Sequence, residues 1–81
     1  MSDDARVDIR QFILSRFPGV AFADSEDIFH LGVATSLFAM ELVMFVEKHF
    51  GLQIPNEELE LSNFRSIDAM AGLVQRRLAA V

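Results

Sequence analysis

The 81-residue chain contains no cysteine and carries twelve acidic against seven basic side chains, a net charge of −5. Disulfide frameworks and cysteine-based metal sites are thereby excluded, and a single small core disfavours a large substrate-burying cleft. With 52% apolar and 23% charged residues, the chain is expected to fold as one domain over 1–81.

The charge is uneven: net −3 over residues 1–35, −4 over 36–64 and +2 over the last seventeen. An acidic middle makes nucleic acid a poor partner and a basic protein surface a better one. No apolar run approaches the roughly 18 residues of a membrane span. Met1-Ser2-Asp3-Asp4 lacks the apolar stretch of a signal peptide. A cytoplasmic domain with no membrane partner is expected.

In chain order, Ile9, Phe12, Ile13 and Phe17 recur at helical spacing and predict a helix from about Asp4 to Arg16. Asp3 or Asp4 can cap it, and Pro18-Gly19 ends it. Residues 18–35 read as a long loop, packed down by Ile28, Phe29 and Leu31. Its acidic cluster, Asp24-Ser25-Glu26-Asp27, lacks calcium-loop spacing and reads as solvated. A second helix is expected over Ser36–Phe50, stopped by Gly51. Leu52-Gln53-Ile54-Pro55 is an extended connection, after which Pro55-Asn56-Glu57-Glu58 opens a short helix with acids in its first turn. Ser66 caps a last helix over Ile67–Ala79 with a buried stripe of Ile67, Met70, Ala71, Val74 and Leu78. Arg76 and Arg77 complement its C-terminal dipole. The class is all-α: an antiparallel four-helix bundle of three main helices and one short one, with a long first loop.

The second helix has more apolar surface than one face holds, since ten of its fifteen residues are apolar. At about 100° per residue, Ala39, Leu42, Val43, Val46 and Phe50 face the core. Leu37, Met40 and Met44 form an opposite stripe beside Glu41 and Lys48, while Phe38 and Phe45 lie on a flank beside His49. The stripe either meets another element or is a docking surface of adaptable methionines, with Glu41 and Glu47 adding charge.

Ser36 has two readings. It is the helix cap, or Thr35 is the cap and Ser36 stands in the first turn, where the positive helix end favours an anion. Catalysis is not expected. His30 and His49 are the only histidines, and nothing in their spacing joins either to Ser36 and a carboxylate. Two lone histidines also make no metal site.

The stretch Phe29-His30-Leu31-Gly32-Val33-Ala34-Thr35-Ser36-Leu37, followed by Glu41-Leu42, Glu47, Phe50-Gly51, Ile54-Pro55 and Phe64-Arg65-Ser66-Ile67, closely resembles the acyl carrier protein family over essentially the whole chain. The resemblance implies that Ser36 carries 4′-phosphopantetheine, derived from coenzyme A, whose thiol holds acyl groups as thioesters. It implies a monomer served by a phosphopantetheinyl transferase and by acyl-loading, modifying and acyltransferase or synthase enzymes. It places the recognition face on Leu37, Met40, Glu41, Met44 and Glu47, to which the flanking Phe38 and Phe45 are added. Thr35 stands where the family usually has Asp, Lys48 where acids are common, and Phe38 and Phe45 are larger than the usual residues. Ser36 to Glu47 look like the discrete polyketide-pathway carriers of methoxymalonyl and glyceryl units. The same family also holds fatty-acyl and aminoacyl carriers. The rival of another class is an unmodified helical interaction module.

Overall fold

The computed structural model describes residues 2–32 and 35–79, with side chains from Ala5 onward. Val33 and Ala34 of the motif around Ser36 lie outside the described residues. The elements are α1 (Ser2–Arg16), α2 (Ser36–Phe50), 3-10 turns at Asn56–Glu58 and Leu61–Asn63, and α3 (Ile67–Ala79). There is no strand among the described residues.

Helix α1 begins two residues earlier than expected, so Asp3 and Asp4 have helical backbone and are not its cap. Helix α2 has the expected bounds and ends at Gly51, whose φ of 65° is left-handed and whose N–H donates to the Glu47 carbonyl. Helix α3 also matches; the Ser66 hydroxyl accepts the Ala69 N–H at 3.0 Å. The expected short helix is instead two 3-10 turns. A helix of so few residues gains too few bonds to offset its nucleation. Side-chain bonds hold this segment: the Asn63 amide donates to the Glu58 carbonyl at 2.7 Å and to the Glu58 carboxylate at 3.0 Å.

The core centres on Ile9 and Ile13 of α1, Leu42 and Val46 of α2, Ile67, Met70 and Leu73 of α3, and Ile28 of the long connection, all fully buried. Each such side chain contributes roughly 1.5–3 kcal/mol through burial. Leu73 joins the expected α3 stripe, and Leu78 is exposed rather than part of it. In the connection, Ile28 is buried and Phe29 half-buried as expected, but Leu31 is exposed and Phe22 takes a core position.

Helices α1 and α2 are antiparallel. Asp8, early in α1, meets His49 at the end of α2 at 2.9 Å. Arg16, at the end of α1, meets Glu41 in the first half of α2 at 2.7 Å. Between these two contacts runs an aromatic seam. Phe12 stacks on Phe45 at 4.3 Å and on Phe38 at 5.9 Å, and Phe17 meets Phe38 edge-on at 4.9 Å. Such pairs contribute about 0.5–1.5 kcal/mol beyond their burial. Phe38, expected on an accessible flank, is therefore a core residue, 4% exposed. The edge-on ring of Phe17 and the stacked ring of Phe12 draw it inward.

A Cβ at Gly51 would meet nothing within 4 Å, so the cost of substitution there lies in the backbone alone. Gly51→Ala is expected to destabilise the fold by about 1–2 kcal/mol, read as a lower denaturation midpoint with unchanged slope.

Candidate functional site

The start of α2 settles which hydroxyl caps the helix. Thr35 is extended, with φ −112° and ψ 175°, and its Oγ1 accepts the Phe38 N–H at 3.3 Å. Its carbonyl accepts the first intrahelical bond, from the Ala39 N–H at 2.9 Å. Ser36 is thus the first helical residue. Its side chain is exposed and its hydroxyl makes no hydrogen bond among the described residues.

Ser36 opens on a surface pocket of about 430 Å³. Thr35 stands beside it, Asp27 and Phe29 come from the long connection, Leu61 from the second 3-10 turn, and Arg65 from the approach to α3. Backbone bonds bring these segments together. The Ile28 N–H donates to the Arg65 carbonyl at 2.7 Å, and the Asp68 N–H donates to the Asp24 carbonyl at 3.0 Å. The acidic cluster is structural rather than merely solvated. Asp27 Oδ1 accepts the N–H groups of Phe29 and His30 at 2.9 and 3.2 Å, Glu26 accepts the Ala23 N–H at 2.6 Å, and Asp24 pairs with Arg10.

The exposed stripe along α2 has the expected members: Leu37, Met40 and Met44 are 73%, 61% and 66% exposed. Its expected acids are both engaged within the molecule. Glu41 pairs with Arg16, and Glu47 Oε2 accepts the Ile54 N–H at 2.9 Å. Phe45 is half-buried in the seam, yet with Met44, Phe12, Arg16 and Lys48 it lines a groove of about 560 Å³ between α1 and α2. A smaller apolar recess of about 170 Å³ lies between α2 and the 3-10 turns, walled by Met40, Val43, Leu59 and Phe64.

Neither histidine belongs to the Ser36 pocket. His30 is exposed, and His49 stacks on Phe45 at 4.9 Å at the far end of α2. Leu61 and Arg65 are the candidate-site residues that sequence reasoning did not single out; Arg65 is the charged one. It stood in the quoted Phe64-Arg65-Ser66-Ile67 run, where only its position before a helix cap was legible.

From Phe12 to Val74 the sequence matches the profile of the phosphopantetheine attachment site family. Comparison with curated protein sequences finds no match. The chain therefore belongs to the phosphopantetheine attachment site family, a class of carrier domains that hold a 4′-phosphopantetheine prosthetic arm and are generally not themselves catalytic. Carrier domains of this kind typically work with transferases and biosynthetic enzymes. Among the described residues no helix is long and apolar enough to cross a membrane.

The capping geometry predicts unequal effects of two neighbouring hydroxyls. Thr35→Ala should cost about 0.5–2 kcal/mol by removing the cap. Ser36→Ala in the unmodified protein should stay within about 0.5 kcal/mol of wild type. Denaturant titration of both variants checks the ranking; an equal or larger loss at Ser36 would return the cap to that residue.

Proposed function

We propose that the chain is an acyl carrier whose 4′-phosphopantetheine arm is attached through a phosphodiester to Ser36 Oγ. The observation that carries this is the separation of roles at the start of α2: Thr35 caps the helix and leaves the Ser36 hydroxyl exposed at the rim of a pocket. The residues present suit the group. The first N–H groups of α2 have no intrahelical acceptor, and the positive helix end favours an anion. Arg65 adds a cation in the same pocket. When bound, the arm supplies a thiol that carries an acyl group as a thioester. The chain's own residues anchor that arm and present it, and it performs no reaction itself.

The partners in this reading are a phosphopantetheinyl transferase and acyl-loading, modifying and synthase enzymes. They meet the Leu37-Met40-Met44 stripe, with Glu41, Glu47 and Phe45 at its margins. Thr35, in place of the family's usual Asp, bears on which transferase acts. The carrier works as a cytoplasmic monomer, modified on serine, in polyketide or antibiotic biosynthesis.

For the cargo we favour a small oxygenated three-carbon unit. The run Ser36–Glu47 resembles the carriers of such units. Burying unpaired hydroxyls in the apolar core would also cost roughly 1–3 kcal/mol each. A fatty-acyl or aminoacyl carrier is the second reading. The apolar recess by Met40 and Phe64 favours an apolar acyl group: its 170 Å³ compares with the cavity of about 150 Å³ that holds benzene.

Expression with a phosphopantetheinyl transferase and coenzyme A tests the central claim by intact mass. Wild type should gain one arm, and Ser36→Ala should gain none while keeping its helical circular dichroism. Modification of the Ala variant would overturn Ser36, and an unmodified wild type would leave a helical interaction module as the better reading.

Transfer assays test face and cargo together. A glyceryl-loading enzyme should charge the holo protein. Met44→Ala should slow that step on the order of tenfold, the scale of a lost interface anchor, with the melting midpoint unchanged. Efficient elongation by fatty-acid synthase enzymes, with the glyceryl-loading enzyme inactive on the carrier, would reverse the cargo assignment.

A further inference from the structure

Arg65 is fixed at its root and loose at its tip. Its carbonyl accepts the Ile28 N–H at 2.7 Å, which anchors the backbone between the long connection and α3. Its exposed guanidinium reaches Asp27 Oδ2 only at 3.7 Å from Nε, beyond hydrogen-bond length. The other oxygen of Asp27 is committed to the Phe29 and His30 N–H groups. Other arginines are held closer: Arg16 meets Glu41 at 2.7 Å and Arg76 meets Glu58 at 3.3 Å. Among the described residues, then, the Arg65 guanidinium has no hydrogen-bond partner, and Arg65 lines the pocket that Ser36 enters. A guanidinium fork matches two oxygens of a phosphate group.

We propose that Arg65 is the positioning residue for the phosphodiester on Ser36. It receives the phosphodiester oxygens and lays the root of the arm against Phe29 and Leu61, the apolar walls of the same pocket. Asp27 acts through Arg65. It lines the same pocket; its carboxylate repels the phosphodiester and attracts the guanidinium, and the cation keeps the two anions from facing each other uncompensated. The arm thus leaves α2 toward the long connection, and the Met40–Met44 stripe stays uncovered for partners. The assignment rests on Ser36 as the attachment point.

The test uses holo wild type, Arg65→Lys and Arg65→Gln, each with the arm located by peptide mass mapping. Two nuclear magnetic resonance signals are read: the Arg65 Nε–Hε cross-peak in apo and holo protein, and the phosphorus resonance of the phosphodiester. The Nε–Hε peak should move on attachment. The phosphorus resonance should be displaced in Arg65→Gln and lie between in Arg65→Lys, which keeps the charge but not the fork. Lys48→Gln, which removes a cation elsewhere on α2, should leave it in place. Salt at about 1 M, where the Debye length is about 3 Å, should move the wild-type resonance toward that of Arg65→Gln. An arm mapped to another residue overturns the Ser36 reading and this one with it. An arm on Ser36, with an unmoved Nε–Hε peak and identical phosphorus resonances in wild type and Arg65→Gln, overturns the role of Arg65 alone. Should Arg65→Gln fail to fold, the apo–holo comparison of the wild-type Nε–Hε peak decides.

Discussion

One hydrogen bond organises the candidate functional end of this molecule: the Thr35 hydroxyl accepting the Phe38 N–H. A helix start leaves several N–H groups without partners, and one neighbouring hydroxyl satisfies the most exposed demand. Because Thr35 fills that role, Ser36 enters the helix with an exposed hydroxyl. The phase of α2 is set separately, by the packing of its apolar face: Phe38, Leu42 and Val46 point into the core and Leu37, Met40 and Met44 point away from it. A cap at Ser36 would have begun the helix one residue later and left that hydroxyl committed.

The long connection before α2 is held by a small number of specific bonds, not by regular structure. Ile28 is buried side chain first, and its N–H meets the Arg65 carbonyl. The Asp24 carbonyl meets the first turn of α3, and Asp27 folds back on Phe29 and His30. These bonds bring Asp27 and Phe29 together with Arg65 at the Ser36 pocket, although Arg65 lies far from them in the chain. The acidic cluster therefore has a structural use that composition alone does not suggest, since solvated loops and stapled loops draw on the same residues.

Much of this was legible in the sequence wherever a local rule governs. Gly51 and Ser66 act as helix stop and start because left-handed φ and N-capping are properties of single residues. The end of α2 and the start of α3 follow from them. The misses fall where tertiary partners decide. A helical wheel places Phe38 on a flank; only Phe12 and Phe17, on another helix, bring it into the core. The unusual size of Phe38 and Phe45 is explained the same way, because both stack on Phe12. The short helix expected after Pro55 is two 3-10 turns, held by Asn63 reaching back to Glu58. Arg65 was invisible as a site residue because its proximity to Ser36 exists only once the connection is pinned to the approach to α3.

The proposed recognition face changes character when its charges are assigned partners. In sequence, Glu41 and Glu47 make α2 an acidic helix suited to a basic partner. In the fold, Glu41 is neutralised by Arg16 from α1 and Glu47 is tied to the Ile54 N–H. Exposed pairs such as Arg16–Glu41 are weak, about 0–1 kcal/mol, so a strongly basic partner can still compete for Glu41. Glu47 is less available, since releasing it would leave a half-buried backbone donor without its acceptor. What remains constantly presented is apolar: Leu37, Met40 and Met44 in line, with the aromatic floor of Phe12 and Phe45 beside Met44 and Lys48 at the rim. Methionine side chains adapt to differently shaped pockets, and charge at such a margin governs encounter rate and orientation more than affinity. Partner contact through the proposed face would therefore depend chiefly on shape and apolar burial. That would suit a carrier served by several enzymes in turn, because adaptable apolar contacts fit several partners without binding any of them through a buried ion pair.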